Sequence, residues 1–153
     1  MITSGLSLGR RLQKNSKARM LEIVHAILMV EGNYVMQWRD NKPTVIQANK
    51  WGLFGGSVEE NEAPRVAMIR EIEEELCIRV PKVKFLWEFD RKHESGRDSH
   101  YRIYESDITS LWGRHRLTEG QGVDCFPYKA LNELEIPDFF CDVLARHHFE
   151  TCS

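Results

Sequence analysis

Between Gly56 and Ile78 the chain reads GSVEENEAPRVAMIREIEEELCI, with seven glutamates in 23 residues, three of them consecutive at Glu73, Glu74 and Glu75. Clustered carboxylate oxygens are the donors a hard divalent cation prefers, and Mg²⁺ held this way keeps coordination sites for water and phosphate oxygens. With Ile69 as origin and about 100° per residue, Ile69, Ile72 and Leu76 fall within roughly 60° of one another. On the same wheel Glu71, Glu74 and Glu75 fall within roughly 100° on the far side. Like charges at that spacing weaken a helix by a few tenths of a kcal/mol per pair, and anions near a helix C-terminus oppose its dipole. A segment that acts twice against local preference is a candidate functional site. The plain alternative is a solvated acidic face, and the surrounding residues decide between the two.

The elements that would position these carboxylates follow from patterning. LEIVHAILMV (Leu21 to Val30) and YVMQWRD (Tyr34 to Asp40) read as two strands joined by a turn, hence a hairpin. NKPTVIQANK is mostly loop. WGLFGG is short and aromatic and ends in two glycines that free the backbone. The acidic helix runs from about Glu62 to Leu76, with Pro64 in its first turn, where a missing N–H costs nothing. VKFLWEFDRK and SHYRIYESDI read as strands around a turn at HESGRD. LTEGQGVDCFPY is a loop running into a last strand, and DFFCDVLARHH has helical spacing. The expected fold class is α/β (α+β), a mixed β-sheet flanked by helices, with a single domain over 21–150 after an N-terminal arm at 1–20.

The acidic segment resembles the Nudix box, G-x5-E-x7-R-E-U-x-E-E-x-G-U, where U is a bulky apolar residue. Gly56, Glu62, Arg70, Glu71, Ile72, Glu74, Glu75 and Ile78 match in register. The departure is Cys77, which stands where the pattern has its second glycine. That position follows the helix, where a left-handed residue is expected, and a cysteine there costs on the order of 1 kcal/mol. No ligand is lost by the change.

The resemblance implies a Mg²⁺-dependent (or Mn²⁺-dependent) pyrophosphohydrolase acting on a nucleoside diphosphate linked to another moiety. Nucleoside triphosphates and nucleotide sugars both remain open as substrates. By position, Glu74 and Glu75 are the main metal ligands, Glu71 completes the cluster directly or through a water, and the Gly55 carbonyl joins them. Arg70 and Glu62 form a pair that orients the carboxylates. The general base is not fixed by the box. Glu119 in LTEGQG is the first choice and Glu94 in KHESG the second. Arg39 is the candidate for substrate phosphate, with a surface salt bridge as its alternative. Trp38, Trp51, Trp87 and Trp112 could stack on a base, although a large aromatic is more often core. Phe54 stands where many relatives have proline. The family resemblance also admits a homodimer.

Composition bounds the rest. The 153 residues carry a net charge of -2, which supplies no global basic field for nucleic acid. No apolar run reaches the roughly 20 residues of a membrane span. Cys77, Cys125, Cys141 and Cys152 form no C-x-x-C pair, which predicts reduced thiols in a cytoplasmic protein. The first 21 residues hold no Asp or Glu but include Arg10, Arg11, Lys14, Lys17 and Arg19, so a loosely docked arm and a weak transit-peptide pattern compete there. The histidines show no zinc spacing. A rival from another class is a non-catalytic Nudix-fold regulator that binds a nucleotide without cleaving it.

Overall fold

The computed structural model describes residues 20–93 and 96–152; the expected arm, save residue 20, and Glu94 therefore lie outside the described residues. The branched apolar run forms the longest strand, β1 (Leu21–Val30). Glu31 and Gly32, both at positive φ, turn the chain into β2 (Asn33–Trp38). The expected hairpin forms, with Met29 opposite Tyr34 and Val30 opposite Asn33. β2 ends two residues short of the expected Asp40, so Arg39 and Asp40 stand just beyond it.

WGLFGG, expected only to be aromatic and conformationally free, instead makes β3 (Trp51–Gly52) and β4 (Phe54–Ser57). β3 pairs with β2 and β4 with β1, both antiparallel. The glycines that look like breakers are required by that pairing. A Cβ on Gly55 would lie 2.1 Å from the Val24 carbonyl oxygen. Phe54, at the proline position of many relatives, is fully buried in the core.

The two later strands are β5 (Lys84–Arg91) and β6 (Ser99–Asp107), antiparallel to each other. β6 runs parallel to β1 from Leu21 opposite Ser99 to Met29 opposite Asp107. The last strand, β7 (Gly122–Phe126), pairs with β2. The result is a mixed sheet in the order β3-β2-β1-β6-β5, with β4 added on β1 and β7 on β2.

Among the described residues two α-helices cover this sheet, α1 (Pro64–Leu76) and α2 (Asp138–Thr151). β1 alternates with period two, so its residues divide between two cores. Val24, Ala26 and Leu28 pack with Met68, Ile72 and Leu76 of α1. Ile27 packs with Phe140, Val143 and Leu144 of α2. The buried stripe of α1 is centred on Met68, Ile72 and Leu76, which leaves Ile69 at its margin and only partly buried. On the other face, the buried His147 of α2 lies between the Tyr34 hydroxyl, 2.7 Å from Nδ1, and the Glu105 carboxylate at Nε2.

Cys77 ends α1 at φ 55, ψ 29, in the left-handed region, and its N–H donates to the Glu73 carbonyl. Its side chain is exposed and contributes no core packing. Cys77→Gly therefore relieves backbone strain at little other cost and stabilises the protein by about 0.5–1 kcal/mol. Denaturant melts check this; a less stable variant would contradict it.

Candidate active site

α1 and the strands beside it bring the box glutamates together in two groups. Arg70 organises the first. Its Nε and Nη2 donate to the two carboxylate oxygens of Glu62 at 2.8 and 3.0 Å. Its Nη1 donates to Glu71 at 3.0 Å and Glu74 at 3.1 Å, and Nη2 also reaches the Ser57 carbonyl at 3.1 Å. One planar guanidinium thus fixes three carboxylates and the end of β4, which a point charge on lysine could not do. Gly56 makes room for this. A Cβ there would lie 2.4 Å from a Glu71 carboxylate oxygen.

Glu75 turns away from Arg70 into a cleft of about 290 Å³. Arg39, Gly55, Glu71, Glu119 and Gln37 also line it. The sequence expectation thus converges here for Glu71, Glu75, Glu119, Arg39 and Gly55. Glu74 does not line this cleft. Its side chain is 56% exposed and lies on Arg70. Gln37, Asp40, Val45 and Gly120 complete the cleft and were not anticipated.

The electrostatics follow from the crowding. Burial, then the charges of Glu71 and Glu119, push the Glu75 carboxyl up to about 8, against smaller pulls from the Gly55 backbone and Arg39. Burial also raises Glu71, while Arg70 draws it back. Glu62 is lowered, first by its hydrogen bond from Arg70. Glu75 binds its proton more tightly folded than unfolded, so its contribution is complete below about pH 4.5 and is lost as pH rises through about 8. In EDTA, stability should therefore fall between pH 5 and pH 8 by more in wild type than in Glu75→Gln, about 5 and 8 being set by that shift. Parallel melting curves across this range would contradict the assignment.

Among the described residues no three Asp, Glu, His or Cys side chains already converge as a metal cage. The donor set nonetheless fits a divalent cation. Glu75 Oε2 is buried without a hydrogen-bond partner, beside Glu71 and Glu119, whose charges oppose its ionisation. A cation would satisfy that oxygen and relieve the repulsion. The four cysteines are free, and burial pushes Cys125 up to about 11, away from thiolate chemistry.

Among the described residues no tryptophan lines the cleft. Trp38 and Trp51 stack on each other, and Trp112 stacks on His115. Trp87 lies under Arg146 in a second cleft with Phe89, Arg91 and Phe139.

A family model for the NUDIX domain matches residues 20–138. The chain belongs to the Nudix hydrolase family. An Escherichia coli (strain K12) relative, CTP pyrophosphohydrolase, is 32% identical over 114 residues, covering 74% of this chain and 81% of that one. The crystal structure of a MutT protein from Methanosarcina mazei Go1 superposes with a TM-score of 0.74 at 20% identity, over 88% of this chain and 96% of the other. The Nudix domain of Shewanella oneidensis NrtR, crystallised with ADP ribose, gives 0.68 at 16% identity, over 94% and 98%. The mixed sheet with flanking helices is the Nudix fold. Nudix hydrolases generally use divalent metals, in keeping with the donor set around Glu75.

Proposed function

We propose that this Nudix protein is a cytoplasmic, Mg²⁺-dependent pyrophosphohydrolase with its domain over 21–150, and that its substrate is a nucleoside triphosphate. The observation that carries the reading is the cleft where a buried, unpartnered Glu75 oxygen meets Glu71 and Glu119 opposite Arg39. The CTP-cleaving relative favours a triphosphate over a nucleotide sugar and makes CTP the first substrate to try. No described helix is long and apolar enough to cross a membrane.

Glu71 and Glu75, with the Gly55 carbonyl, would hold the cation, and Glu74 would join them by turning from Arg70 toward the cleft. Mg²⁺ there supplies charge neutralisation for the pyrophosphate oxygens and Mn²⁺ could replace it. Arg39 offers a cationic partner to a phosphate at the cleft wall. Glu119 takes a proton from the attacking water as its oxygen bonds to phosphorus. The anhydride P–O bond breaks, and pyrophosphate leaves from the nucleoside monophosphate. Arg70 keeps Glu71 and Glu74 oriented while Glu62 fixes Arg70. Positioning and electrostatics carry most of the rate gain.

The test is a panel of nucleoside triphosphates, nucleotide sugars and dinucleoside polyphosphates, with Mg²⁺ and with EDTA, read by phosphorus NMR. Monophosphate and pyrophosphate from a triphosphate, only with the cation, is the expected result. Binding of a nucleotide without turnover across the panel would favour the regulator instead. Faster cleavage of a nucleotide sugar would move the substrate assignment.

A further inference from the structure

We infer that Gln37 and Thr118 are positioning residues that hold Glu119 opposite Glu75. The inference rests on the reading of Glu119 as the proton acceptor. The segment from Arg116 to Gln121 bridges two rigid elements. On the helix side, the Arg116 N–H donates to the Leu76 carbonyl at 2.9 Å and the Thr118 N–H to the Glu75 carbonyl at 3.0 Å. The Thr118 hydroxyl donates to the Glu74 carbonyl at 2.8 Å. These carbonyls belong to the last turn of α1, where intrahelical partners run out. The loop that carries Glu119 therefore also caps the helix that carries Glu74 and Glu75.

On the sheet side, Gln37 is only 5% exposed and donates from Nε2 to the Glu119 carbonyl at 3.1 Å. Its strand neighbours Val35 and Met36 are buried and apolar. A buried amide among such neighbours is costly unless bonded, and the partner it has is the Glu119 backbone. The Gln121 N–H donates to the Trp38 carbonyl at 2.7 Å. Between them Gly120, at φ +95, passes so close that a Cβ would lie 2.8 Å from the Trp38 carbonyl oxygen and 3.2 Å from Gln37 Nε2. Glu119 faces the same-sign charge of Glu75 across the cleft. A carboxylate on an untethered loop would retreat from that charge, and the two anchors prevent it.

The test combines Thr118→Val, which keeps the shape and removes the hydroxyl, with Gln37→Leu and Glu119→Gln, using CTP or the best triphosphate of the panel. Each anchor variant should lower kcat about tenfold with KM within about threefold, and Thr118→Ser should recover most of the loss. In a Glu119→Gln background neither anchor variant should lower kcat further, since both act through that carboxylate. Amide exchange at residues 119–121 of the cation-free protein reads the anchors without turnover and should quicken at least about tenfold in both. Unchanged exchange, or kcat losses that multiply with that of Glu119→Gln, would overturn the inference. Wild-type kcat in Glu119→Gln alone would instead remove Glu119 as the base, while faster exchange in the anchor variants would still support the tether.

Discussion

Glu75→Gln is expected to lower kcat at least about 100-fold, equivalent to about 2.7 kcal/mol of transition-state stabilisation. The protein should still fold, because glutamine has the shape of glutamate. It should also melt higher than wild type in EDTA near neutral pH, since the substitution removes a carboxylate that burial, Glu71 and Glu119 all disfavour ionising. The loss of turnover has a different cause. A neutral amide holds a divalent cation far less well than a carboxylate does. The larger effect is expected at Glu75 rather than Glu74, because Glu75 faces the cleft while Glu74 lies on Arg70. Steady-state kinetics and thermal scans on the same preparations read both effects. Turnover within threefold of wild type would remove Glu75 from the site.

Arg70→Ala should cost both stability and activity. The guanidinium satisfies Glu62, Glu71 and Glu74 together with the Ser57 carbonyl, and its removal leaves three carboxylates without their shared cation. The Glu62 side chain is only 12% exposed, so it would be left largely covered without its partner. The network lies near solvent and is partly screened, so the expected loss is about 2 kcal/mol, not the larger figure of a deeply buried pair. Misoriented carboxylates should also lower kcat about 10-fold to 100-fold. Arg70→Lys should recover little of either, because an ammonium cannot reproduce the two-bonded contact with Glu62. Denaturant melts and kcat decide the matter, and a variant equal to wild type in both would show that Arg70 organises nothing.

Helical spacing alone made it legible that Glu71 and Glu75 share a face, whereas Glu119 and Arg39 were expected only from the resemblance to the Nudix family; the fold brings all four to one cleft. The left-handed backbone at Cys77 was legible too, since a helix must end there. The end of the helix at Leu76 followed from the apolar stripe, while its start falls at Pro64, two residues after the expected Glu62. β3 and β4 were not legible. Their glycines resemble a loop in a single sequence, and only the partner strands reveal that Gly55 must pass against the Val24 carbonyl. Nor could periodicity show that Glu74 would lie on Arg70 while Glu75 faced the cleft, because both share one helical face. Gln37 was hidden because its role depends on a loop 82 positions away in sequence.

The central claim is that the carboxylates of α1 form a cation site on the folded chain. The thermal response to Mg²⁺ tests it most directly, in wild type and in a variant with Glu71, Glu74 and Glu75 all changed to Gln. A cation that binds only the folded arrangement adds about 2.7 kcal/mol at 100 times its Kd. For a protein of this size that is an upward shift of several degrees, about 2–4 °C per kcal/mol. Millimolar Mg²⁺ should raise the wild-type Tm by at least about 3 °C over EDTA, and leave the triple variant unmoved. An equal shift in both proteins would place the cation elsewhere and contradict the account.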